Sequence, residues 1–256
     1  MWAGRDAAHN AAAVRRERLL HLCAWGVHLY TALGAVAGLL SIDYAARGDF
    51  RTSFIAMAVA TAIDSSDGPL ARLLEVRRRI PHFDGALLDN VVDYLTYVLA
   101  PVFLMLRAGI LQPGLSGYLT GGFVMVASGY GFCHVEAKTE DHYFRGFPSY
   151  WNLVAFYLFC LGLGAFVSTI IVALLAVLVF VPIKYIYPNR TGPLRRITLT
   201  LAIAWGIVTL AMLPALPNHN PAMLYASLTF IAYYFAASFI LHARAAISLA
   251  RYRRGG

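Results

Sequence analysis

The sequence predicts an all-α polytopic membrane protein, about eight transmembrane helices with a preceding amphipathic N-terminal helix. Three observations predict it. Of 256 residues, 59% are hydrophobic and only 13% charged, whereas a soluble domain carries roughly a quarter charged residues. The apolar residues come in long continuous runs, not in alternation, and a backbone immersed in lipid must satisfy its own hydrogen bonds, so such runs select helices over a barrel. Finally, the basic residues segregate to one side of the spans those runs define.

In chain order, residues 1–20 are polar and Arg-containing and read as a cytoplasmic amphipathic segment. It is not a cleaved leader, because the apolar run from Leu20 continues for a full span without a small-residue cleavage site. A span needs about 20 apolar residues. Candidates run from Leu20 to Ala45, Thr52 to Leu74, Asp84 to Arg107, Ser116 to Val135, Tyr150 to Gly164, Phe166 to Ile186, Arg196 to Leu213 and Ala222 to Ala250. The fifth is short, with a break near Gly162 and Gly164. Cys23, Cys133 and Cys160 all fall inside apolar runs, without metal-ligand spacing, and read as small buried hydrophobes.

With eight spans both termini share a side. That side holds all of the 21 Lys and Arg residues except Arg47, Arg51 and Arg107. The excess marks it as cytoplasmic. Six spans would also put both ends together. The net charge of +8 therefore needs no nucleic acid to explain it; topology and anionic lipid suffice. The chain, 1–256, reads as a single membrane domain.

Of the 13 acidic residues, five are aspartates crowded into one stretch: Asp64, Asp67, Asp84, Asp89 and Asp93. An ionised carboxylate inside a spanning helix costs roughly 2.5–3.5 kcal/mol on insertion scales. Asp84 is explained as a loop residue at a helix end, but Asp89 and Asp93 lie one and two turns inside the third span. Asp64, Asp67 and Ala71 are three and four residues apart; Gly85, Asp89, Asp93 and Tyr97 are each four apart. Each series shares one helix face. Residues 52–107 thus form a helix pair, the expected catalytic unit, whose facing carboxylates would repel without cations. Hard divalent ions such as Mg²⁺ or Mn²⁺ prefer oxygen ligands and resolve the conflict. Two such ions are a known device for displacement at phosphorus. Gly68, Ala71 and Gly85 lie on the same faces, where small residues admit a ligand or allow close helix packing.

The order Asp64-Ser-Ser-Asp67-Gly68-Pro-Leu-Ala71-Arg72, a spacer, then Gly85-Ala-Leu-Leu-Asp89-Asn-Val-Val-Asp93 resembles the signature of the CDP-alcohol phosphotransferases. The spacer is longer than in the general family pattern, which is similar to the bacterial phosphatidylcholine synthase subgroup. The stretch from Phe144 to Asn152 resembles that subgroup too. The resemblance implies a CDP-alcohol phosphotransferase helical bundle in a bacterial inner membrane, often a homodimer, using two Mn²⁺ or Mg²⁺ ions. Asp64, Asp67, Asp89 and Asp93 would be the metal ligands and Asp93 also the general base. Gly68, Ala71, Arg72 and Gly85 would bind the CDP moiety. The reaction implied is transfer of the phosphatidyl group of CDP-diacylglycerol to choline, releasing CMP.

Aromatic faces hold quaternary ammonium groups, often with a carboxylate nearby. Tyr97, Tyr150, Trp151 and Glu136 are therefore candidates for choline contact, and Arg145 for phosphate contact, against the alternative that the aromatics are an interfacial belt. Other acceptors, serine or glycerol phosphate, stay open. Outside this class, the carboxylates could line a divalent-cation transport path. Their crowding toward the cytoplasmic end of adjacent helices, beside Arg72, favours an enzyme.

Overall fold

The computed structural model describes residues 3–134, 143–186 and 195–255, with side chains over 14–134, 146–183 and 196–240. The helices are α1 (Ala3–Ala46), α2 (Phe50–Leu73), the short α3 (Val76–Arg79), α4 (Gly85–Asp93), a π-helix (Tyr94–Leu99), α5 (Ala100–Arg107), α6 (Leu115–Cys133), α7 (Trp151–Leu161), α8 (Ala165–Phe180), α9 (Arg195–Met212) and α10 (Pro221–Gly255). Every expected span thus contains a helix. Four described helical stretches are long and apolar enough to cross a membrane by length and composition: Val14–Ala46, Gly85–Arg107, Arg196–Ala215 and Pro221–Ile240. The apolar α7 and α8 are shorter. Large exposed hydrophobics such as Leu29, Val126, Phe166 and Ile207 are what a chain solvated by lipid presents.

Three expectations need correction. The amphipathic segment 1–20 is not a separate helix: α1 runs unbroken from Ala3 to Ala46, since no Pro or Gly interrupts the join at Leu20. At 1.5 Å per residue it is about 66 Å long, roughly twice the hydrocarbon thickness. The sixth expected span ends early. Pro182 forces Val181 into an extended conformation, and Lys184–Ile186 instead form β2, paired antiparallel with β1 (Tyr143–Arg145), Phe144 opposite Tyr185. Of the cysteines, Cys23 and Cys133 are exposed and Cys160 half-buried, so two lie on the outer face of the bundle.

The α1–α2 hairpin positions the site. Gly48 takes the left-handed φ of +79° that the tight turn requires. Asp49 caps α2 by accepting from the Thr52 N–H at 3.0 Å. Ser41 and Ser53, both fully buried, bond to each other at 2.9 Å, and the Ser53 hydroxyl also donates to the Ser41 carbonyl. A core of Phe54, Met57, Val98, Leu104, Val124, Trp151, Phe156 and Val172 packs α2, the π-helix and α5–α8 together. The π-turn follows Asp93 directly. Pro101 at the start of α5 supplies no N–H for the carbonyl of Tyr97, and the Ala100 N–H reaches back five residues to Leu95.

The spacer folds back onto α1. Val76 and Ile80, 3% and 0% exposed, pack with Ala24 and Val27. Arg79 donates to the Leu74 carbonyl and pairs with Glu17 at 2.7 Å.

Candidate active site

Two elements supply the carboxylates. Asp64 comes from α2, Asp89 and Asp93 from successive turns of α4. Asp84 caps α4, accepting from the N–H groups of Ala86 and Leu87, which fixes where the helix starts and therefore which face holds Asp89 and Asp93. One oxygen from each of Asp64, Asp89 and Asp93 lies within 4.8 Å of the others. At such a spacing two ionised carboxylates repel by on the order of 3 kcal/mol at an effective dielectric of 20. A cation bound among them would relieve that repulsion. Three half-buried carboxylate oxygens are a donor set that fits a hard divalent cation.

Asp67 stands outside this triplet. It is 6% exposed, and its Oδ2 accepts a 2.7 Å hydrogen bond from Thr31 of α1. It nonetheless lines the same cavity as Asp89. That cavity, about 1080 Å³, is walled by Asp67, Gly68, Ala71, Arg72, Gly85 and Asp89, together with His28 and the spacer. The expected CDP-binding residues are thus brought to one space with two of the expected ligands. The small residues serve packing as well: a Cβ on Gly68 would meet Arg72 Nη1 at 3.3 Å, and one on Gly85 would meet the His28 ring at 2.6 Å.

Tyr97 lies in the π-helix, 8% exposed, and its hydroxyl donates to Asp64 Oδ2 at 2.7 Å. Its ring neighbours that of Tyr150, with centroids 6.2 Å apart. Trp151 needs correction as a choline-contact candidate. It has no exposed surface, its Nε1 donates to Ser128 at 2.7 Å, and Phe147 packs edge-on against it; it is a core anchor with no face free for a cation. Arg145 lies in β1, its side chain outside the described residues, and Glu136 lies outside them altogether.

Several site residues have no counterpart in the sequence expectations. Thr31 holds Asp67. Tyr30 bonds Ser66 at 2.9 Å. Asn152 donates to Thr61 at 3.1 Å, one turn before Asp64. His28 forms part of the cavity wall. The available signal was polar residues inside apolar spans, each of which demands a partner.

No protein-family model matches the chain. Curated relatives do. A phosphatidylcholine synthase of Legionella pneumophila is 36% identical over 226 residues, covering 86% of this chain and 88% of its own. One from Legionella bozemanae is 38% identical over 212 residues, covering 80% and 97%. Another from Mesorhizobium japonicum is 39% identical over 182 residues, covering 71% and 68%.

Proposed function

Since this chain belongs to the phosphatidylcholine synthase family, we propose that it moves the phosphatidyl group of CDP-diacylglycerol onto choline, giving phosphatidylcholine and CMP. The observation that carries the reading is the convergence of Asp64, Asp89 and Asp93 within 4.8 Å beside a cavity large enough for a nucleotide diphosphate.

The acyl chains stay in the bilayer while the CDP portion occupies the cavity along Gly68, Ala71 and Gly85, with Arg72 facing its phosphates. Asp64, Asp67, Asp89 and Asp93 would hold two Mn²⁺ or Mg²⁺ ions, which offset the pyrophosphate charge and order the attacking and leaving oxygens. Asp67, whose Oδ2 accepts from Thr31, would complete that ligand set. Asp93 takes the proton from the choline hydroxyl as that oxygen attacks the phosphorus bearing diacylglycerol, and CMP leaves in line. A carboxylate is a weak base, so the hydroxyl must lie within about 3 Å. The quaternary ammonium rests against Tyr97 and Tyr150, with Glu136 supplying opposite charge and Arg145 contacting phosphate.

In the bilayer, all eight apolar helical segments cross, α7 and α8 being shortest, with both termini on the cytoplasmic side of a bacterial inner membrane. The protein works as a homodimer. Residues 52–107 are the catalytic helix pair within a single membrane domain.

The test is CMP release by the purified protein from CDP-diacylglycerol and Mn²⁺ with a panel of labelled alcohols. Label from choline alone should enter lipid. Product with serine or glycerol phosphate instead would reject choline. Silence across the panel, with Mn²⁺ flux in liposomes, would favour a transporter.

A further inference from the structure

A second cavity, about 510 Å³, is lined by Glu17, Arg18, His21 and Leu22 of α1 and by Arg79 of α3. It shares no lining residue with the catalytic cavity: Arg78 lines that one and Arg79 this one. Its charge is only partly offset. Glu17 is taken up by Arg79 at 2.7 Å. Arg18 is exposed, and among the described residues no ion pair engages it. Arg79 is half-buried and fixed in place, with Nε donating to the Leu74 carbonyl and Nη1 to Glu17. A guanidinium carries five N–H donors, so Arg79 keeps donors to spare. Arg15, Arg16 and Arg77, all exposed, make the surroundings basic.

The depth of this cavity follows from α1. The stretch Val14–Ala46 is apolar enough to cross a membrane, but its 33 residues span about 50 Å, against about 30 Å of hydrocarbon. Toward its far end, Asp43 and Arg47 form an exposed ion pair at 2.6 Å, which belongs outside the hydrocarbon. About 20 residues of hydrocarbon, counted back from Asp43, end near Cys23. Leu22, an exposed side chain, therefore stands at the acyl margin. Arg18, one turn further out, stands at the level of the phosphates. We propose that this cavity is a second lipid site, which binds the phosphate of an anionic phospholipid between Arg18 and Arg79, with the acyl chains running past Leu22. Guanidinium forks match phosphate oxygens. A free phosphate gains the arginines alone, whereas a lipid gains Leu22 as well. A zwitterionic headgroup brings its own cation among arginines and is disfavoured. The site stands independently of the transfer reaction.

The experiment is calorimetric titration of the purified full chain, in a neutral detergent, with dioctanoyl phosphatidylglycerol, dioctanoyl phosphatidylcholine and soluble glycerol phosphate. Wild type should bind phosphatidylglycerol saturably and the other two far more weakly. Arg18→Gln should weaken phosphatidylglycerol about fivefold, the roughly 1 kcal/mol that one basic residue contributes at a lipid surface. It should leave choline transfer at saturating CDP-diacylglycerol unchanged. Arg16→Gln, two residues away and hence on another face of α1, should stay within about twofold of wild type. Asp89→Asn, which alters the catalytic cavity, should do the same. Equal losses in Arg16→Gln and Arg18→Gln would mean diffuse attraction and overturn the site. Glycerol phosphate bound as tightly as the lipid would make it a free-anion site and overturn the lipid assignment. Loss of phosphatidylglycerol binding in Asp89→Asn would place that lipid in the catalytic cavity and overturn the proposal outright.

Discussion

The Tyr97 hydroxyl donates a 2.7 Å hydrogen bond to Asp64 Oδ2, tying the π-helix after Asp93 to the carboxylate contributed by α2. Groups that orient a metal ligand from behind are commonly worth 10–100-fold in metal affinity. Tyr97→Phe should therefore weaken Mn²⁺ binding about tenfold while keeping the fold, as read by titration of the purified protein. An unchanged Mn²⁺ affinity would contradict the orienting role of the hydroxyl.

Asp93→Asn separates base from ligand. General bases contribute about 10²–10⁴-fold, so kcat should fall by at least about a hundredfold. Under saturating Mn²⁺ the KM for CDP-diacylglycerol should change little. Near-normal turnover with intact metal binding would remove Asp93 as the base.

Trp151 and Ser128 test a structural role. Ser128→Ala leaves the buried indole N–H without its acceptor, at a cost of about 1–3 kcal/mol. Thermal unfolding in detergent should shift down, and the KM for choline should stay within about twofold. A choline-specific defect would contradict the placement of Trp151 in the core.

The spacer offers two ties of different kinds. Glu17 is 68% exposed in its pair with Arg79, and exposed pairs contribute about 0–1 kcal/mol. Ile80 is fully buried, and truncating such a side chain to alanine costs roughly 2–5 kcal/mol. Ile80→Ala should thus lower the unfolding temperature and expose the spacer to protease, whereas Glu17→Gln should do neither. The reverse ranking would mean that charge, not packing, seats the spacer on α1.

How much of this was legible in the sequence follows from the reach of each signal. Asp64, Asp89 and Asp93 could be brought together on paper because helical periodicity puts each set on one face and an antiparallel connection brings the faces opposite. Asp67 shows the limit: it shares that periodicity, yet Thr31, 36 residues away, captures its carboxylate, and no local pattern reports such a bond. Tyr97 was placed on the correct face by four-residue spacing, but the π-turn that Pro101 imposes is not periodic. Trp151 misled for the opposite reason. An aromatic beside polar loop residues looks like a cage or an interfacial belt, and only its distant partner Ser128 and the ring of Phe147 make it core. The continuous α1 was hidden by the shift from polar to apolar composition at Leu20, which changes the helix's surroundings without ending it. His28 lies in an apolar run with no periodic partner, so its place on the cavity wall has no local sequence signal.

The most direct test of the central claim is a Mn²⁺ titration of the purified protein beside its Asp89→Asn variant, with the full chain in detergent. Asp89 sits in the carboxylate triplet and also on the cavity wall, so its neutralisation should abolish saturable Mn²⁺ binding and CMP release together. A variant that binds Mn²⁺ as tightly and in the same stoichiometry as wild type would contradict an account in which α2 and α4 pool their aspartates around the ions.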